Sequence, residues 1–83
     1  MMTGDELRDA RGRLGELWGL GRPVAMAEMG RALRLTGSSP GDSIRDYERG
    51  KTRISGPVTV AVRMMVAGAL PPDGLEPVLS PED

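Results

Sequence analysis

Eighty-three residues leave room for one small domain. Without cysteine or histidine the chain has no disulfides, no thiolate nucleophile or metal ligand, and no usual general base near neutral pH, so neither an enzyme, a cofactor nor a metal is expected. The net charge of −1 hides an uneven distribution. Eleven basic and eight acidic residues precede position 71, a net +3, and four acids (Asp73, Glu76, Glu82, Asp83) follow with no base.

One Trp, one Tyr and no Phe leave the core to aliphatic side chains and six methionines. A chain of this size buries only about 60% of its unfolded surface, which favours a helical bundle helped by dimerisation. Met1 to Glu6 has neither the basic nor the apolar region of a secretory signal. No stretch approaches the roughly 18 apolar residues of a membrane span. A cytoplasmic location and no membrane partner are the resulting expectations.

Thr3-Gly4-Asp5-Glu6 reads as a capping box, followed by apolar residues Leu7, Ala10, Leu14, Leu17 and Trp18 at helical spacing. A first helix is therefore predicted over about residues 4–18. Gly19 to Pro23 is a loop, and Pro23 suits the first turn of a second helix running to about Leu35. Val24, Met29, Ala32 and Leu33 form its stripe, and Ala25, Ala27 and Gly30 are small enough to admit another helix. After the turn 36–39, Ser39 is the expected N-cap and Pro40 the first residue of a third helix. Asp42 lies in its first turn, and Gly50 closes it. Ser55 is the expected N-cap of a fourth helix, with Gly56-Pro57 in its first turn and Val58–Ala67 forming its body, closed by Gly68. Residues 1–70 form the predicted domain, and the Pro-rich acidic segment 71–83 is expected to be a loosely draped tail. The predicted fold is all-α, with four or five short helices.

The third helix carries the most informative pattern. With Ile44 and Tyr47 on one side, the opposite side presents Asp42, Arg45, Asp46 and Arg49 at i, i+3, i+4 and i+7. Both i,i+4 pairs on that face are like-charged, whereas helix stability favours opposite charges there. Arginine is suited to a bidentate contact with guanine, and a short helix after a turn and another helix has helix-turn-helix proportions.

Three runs bear a family resemblance: Glu28-Met29-Gly30-Arg31-Ala32-Leu33-Arg34-Leu35, Ile44-Arg45-Asp46-Tyr47-Glu48-Arg49-Gly50-Lys51, and Ile54-Ser55-Gly56-Pro57-Val58. Over roughly residues 7–68 the chain resembles the Cro/phage-repressor (XRE-like) helix-turn-helix family. Tyr47-Glu48-Arg49-Gly50 followed by Gly56-Pro57-Val58 is its most specific part. Ala25-Met26 stand where the family usually has Ser-Gln, and the turn before the third helix is longer than usual. The resemblance implies a lambda-repressor-like fold and a DNA-binding transcriptional regulator, with Tyr47 and Glu48 structural and Glu48 orienting an arginine or backbone.

On that expectation, Ser39, Asp42, Ser43, Arg45, Asp46 and Arg49 are candidates for base contact, and Arg22, Ser38, Lys51 and Arg53 for phosphate contact. Arg8, Arg11, Arg13 and Arg63 read as ordinary surface charges. In the fourth helix Val58, Ala61, Val62 and Met65 form one apolar stripe, and Thr59 and Arg63 mark the polar strip. A second stripe, Val60, Met64 and Ala67, implies a partner, either a second copy or the tail folded back. The expected partners are double-stranded DNA, bound at an inverted repeat, and a second copy of the chain in a small dimeric repressor. The alternative is a protein-interaction adaptor retaining the same scaffold.

Overall fold

A computed structural model describes residues 2–35 and 39–79. The described chain is all-helical: α1 Gly4–Leu17, α2 Met26–Ala32, α3 Pro40–Glu48, α4 Gly56–Val66 and α5 Leu75–Leu79. Leu7, Leu14, Val24, Met29, Ile44, Val62 and Val78 are fully buried, so every helix and the loop before α2 contribute to one core.

Local chemistry sets most boundaries. Thr3 and Glu6 close the capping box reciprocally, Glu6 N–H donating to Thr3 Oγ1 at 3.1 Å and Thr3 N–H to Glu6 Oε1 at 2.7 Å. Ser39 occupies the N-cap of α3 in an extended conformation, although its side chain makes no cap hydrogen bond. Gly50, at φ 76°, ends α3 as expected, with Lys51 N–H returning to the Asp46 carbonyl at 2.9 Å. Ser55 Oγ accepts from Val58 N–H at 3.3 Å, and α4 starts at Gly56 with Pro57 in its first turn, as expected.

Helix α2 is shorter than expected at both ends. It begins at Met26 because Val24 is consumed by packing, fully buried with its N–H donating to the Arg11 carbonyl at 3.0 Å. Glu28 then reaches back to Ala25 N–H at 2.8 Å, half of a capping box around a residue without a side-chain acceptor. At the other end Arg34 takes the left-handed conformation, φ 56°, the sole non-glycine to do so among the described residues. Leu35 N–H returns to the Gly30 carbonyl at 2.9 Å and stops the helix.

Helices α2 and α3 pack more extensively than any other pair, and Gly30 is the reason they come so close. A Cβ there would lie 1.9 Å from the Pro40 carbonyl oxygen, which no rearrangement of side chains relieves. Arg34 also pairs with Asp73, and Arg31 Nε donates to the Val78 carbonyl at 2.9 Å. Over residues 73–79 those contacts hold the chain more closely than the loosely draped segment expected. Residues 75–79 form α5 against α2 and seat Val78 in the core.

Candidate nucleic-acid interface

Two kinds of anchor hold the inner face of α3. Ile44 has no solvent exposure, and Tyr47 packs half-buried beside the core. One turn further on, the Glu48 side chain is 1% exposed and accepts Arg11 Nε at 2.6 Å and Arg11 Nη2 at 2.8 Å. Arg8 Nε reaches the same carboxylate at 3.4 Å. Arg11 Nη1 also donates to the Val24 carbonyl at 2.8 Å, so one guanidinium ties α1, α3 and the loop before α2. Arg11 is thus no ordinary surface charge. Glu48 orients it, or is oriented by it, in line with the structural role that the resemblance implies.

The outer face of α3 is open. Arg45 and Arg49 are exposed, while Ser39, Asp42, Ser43 and Asp46 are half-buried. Arg45 Nη2 lies 3.5 Å from Asp42 Oδ1, and its Nε lies 3.8 Å from Asp46 Oδ1. Beyond the helix end, Lys51 and Arg53 are exposed as well. Most other cations have partners: Arg8, Arg11, Arg13, Arg22 and Arg34 sit in ion pairs, and Arg31 is hydrogen-bonded to backbone. Among the described residues the side chains of Arg49, Lys51, Arg53 and Arg63 have no ion pair or hydrogen bond, and three of these four fall in one run after α3. Uncommitted positive charge is therefore concentrated at the C-terminal end of that helix.

The remaining expected residues divide. Ser38 lies outside the described residues. Arg22 sits at the approach to α2, but its guanidinium is already engaged, donating to both Glu28 oxygens at 2.9 Å and to the Pro23 carbonyl at 3.0 Å. That fork holds the Glu28 carboxyl below its usual value against the opposing effect of burial, and it raises Arg22 in turn. Arg22 acts first as a clamp on the start of α2. Sequence reasoning missed this role, although a glutamate three residues after Ala25 marks it.

Helix α4 buries Val62 and Met65 and leaves Val60 and Met64 each 57% exposed, with Ala67 open beside them. Thr59 is not on a polar strip. It lies 7% exposed on the buried face, and its hydroxyl has no hydrogen-bond partner. Residues 75–79 pack on α2, and among the described residues none covers the second apolar stripe. Next to that stripe, Ala32, Leu33, Ala61, Met64, Leu70 and Pro72 line an apolar groove of about 210 Å³.

Among the described residues no group of acidic side chains is placed to hold a metal ion, and no helix is long and apolar enough to cross a membrane. The described residues form an all-α protein of five short helices, in which α3 leaves a charged face and α4 an apolar stripe open to solvent. No family model, curated protein or solved structure matches the chain.

Proposed function

We propose that this chain is a sequence-specific DNA-binding transcriptional regulator of the Cro/phage-repressor helix-turn-helix kind, working as a homodimeric repressor on an inverted-repeat operator. The observation that carries the reading is the seating of α3. Ile44 and Glu48 fix its inner face, while Arg45 and Arg49 stand open on the other and lead into Lys51 and Arg53. In this reading α2 and α3 are the two helices of the motif. In it the second helix lies in the major groove, so that side chains on its open face reach base edges.

Arg45 and Arg49 then meet base edges with Ser39, Asp42, Ser43 and Asp46 alongside, and Lys51 and Arg53 meet phosphates. A second copy docked on Val60, Met64 and Ala67 pairs two such helices, as required for half-sites about 34–36 Å apart. The apolar groove beside Met64 supports a second reading, an adaptor that binds another protein through α4.

Titration of the chain against duplexes selected from a random-sequence pool, at two salt concentrations, separates the two. Tight binding that weakens steeply with salt is the expected result. No binding at micromolar protein, with α4 still engaging a protein partner, leaves the adaptor.

A further inference from the structure

Acid flanks the most central arginine of the open α3 face on both sides. Arg45 lies at ion-pair distance from Asp42 and Asp46, and the three side chains keep 45%, 38% and 28% of their surface exposed. Exposed pairs of this length add little to stability. Asp42 is favoured by the helix dipole in the first turn and makes a further interaction, but Asp46 lies in the last turn, where the dipole opposes a carboxylate, and it stands i,i+4 from Asp42 as Arg49 does from Arg45, like charge to like charge. Affinity for DNA does not account for the pattern either. Most non-specific affinity is attraction to phosphate, which a carboxylate opposes. What a carboxylate adds in the major groove is an acceptor for the N4 amino group of cytosine, complementary to the arginine fork that takes guanine O6 and N7.

Resting on the reading of α3 as a recognition helix, we propose that Asp46, assisted by Asp42, is a specificity-determining residue that lowers affinity for DNA in general. Between the two carboxylates the Arg45 guanidinium is kept over the middle of the face and is discouraged from folding onto a phosphate. On a matching site Arg45 donates to guanine while Asp46 accepts from a neighbouring cytosine. Where guanine or thymine stands instead, the carboxylate meets O6 or O4, an acceptor facing an acceptor, and adenine sets its N7 acceptor beside the N6 donor, so the complex is penalised. The ligand class is duplex DNA with a guanine and a neighbouring cytosine in each half-site.

The full chain and its Asp46→Asn variant, which keeps size and removes charge, provide the test. Each selects duplexes from a random-sequence pool, and each is then titrated with the wild-type-selected duplex and a scrambled one. Wild-type selection should fix a cytosine next to a guanine. Asp46→Asn should bind the scrambled duplex roughly tenfold more tightly and lose roughly tenfold in its ratio of selected to scrambled affinity. Its own selected sites should exchange that cytosine for adenine, the base that asparagine reads. A variant that selects the wild-type sequence with the wild-type ratio overturns this inference and leaves DNA binding intact. A wild-type chain that selects nothing and binds neither duplex overturns both.

Discussion

Helices α3 and α4 solve the same packing problem and then differ. Each buries a central aliphatic residue completely, Ile44 in one and Val62 in the other, and each leaves the opposite face to solvent. The open face of α3 carries Asp42, Arg45, Asp46 and Arg49; that of α4 carries Val60, Met64 and Ala67. Folding one protomer requires neither face. A charged face remains hydrated and suits a wet, polyanionic partner, whereas contiguous exposed apolar surface suits another protein surface. The inner faces differ too. Helix α3 is seated by a buried ion pair and a glycine-tight approach to α2, and α4 by apolar contact with one unsatisfied hydroxyl.

The largest expected effect breaks the seating of α3. Glu48→Ala strands the Arg11 guanidinium, 12% exposed, and should cost about 3–5 kcal/mol in denaturant unfolding. A paired Arg11→Met, Glu48→Leu variant should recover much of that loss, because well-packed apolar replacements avoid the desolvation of two charges.

At the start of α2, Glu28→Gln should cost about 1–2 kcal/mol at neutral pH by weakening the Arg22 fork and the Ala25 cap. The folded state holds the Glu28 carboxyl below its usual 4.5. Its contribution is therefore complete above that value and is lost as pH falls through the lower folded value. Acid titration of stability should show a shallower decline in Glu28→Gln than in the parent chain. An equal decline would contradict this linkage.

Changes on α4 should be gentler. Thr59→Val keeps the shape and removes the unpartnered hydroxyl, so thermal or denaturant unfolding should report a gain of about 1 kcal/mol. Met64→Glu should alter protomer stability by less than about 0.5 kcal/mol, since the side chain is 57% exposed. Light scattering should nevertheless report a monomer where the parent chain is a dimer. A Met64→Glu chain that stays dimeric moves the proposed interface elsewhere.

Much of the scaffold was legible because local rules dominate it. The Thr3–Glu6 box, Ser55 capping α4, Gly50 closing α3, and Gly30 as a point of close approach all follow from neighbouring residues. The errors share a different cause. Helix α2 loses its predicted ends to long-range demands: burial of Val24 at one and a left-handed Arg34 at the other. Residues 71–79 look loosely draped by composition, yet Val78 finds an apolar slot and Arg31 and Arg34 find partners 47 and 39 residues away. Arg11 is indistinguishable in sequence from Arg13, and only the position of Glu48 separates them. At the candidate site, helical spacing placed Arg45 and Arg49 on the open side correctly. It gave no sign that Arg22 is committed to Glu28.

The central claim is that the open face of α3, and not that of α4, meets duplex DNA. Backbone amide chemical shifts recorded while a selected duplex is titrated into the labelled chain test it most directly. The account predicts the largest changes from Ser39 to Arg53, centred on Arg45 and Arg49, with Val60, Met64 and Ala67 little affected. Changes confined to the α4 stripe, or none at saturating duplex, would contradict it.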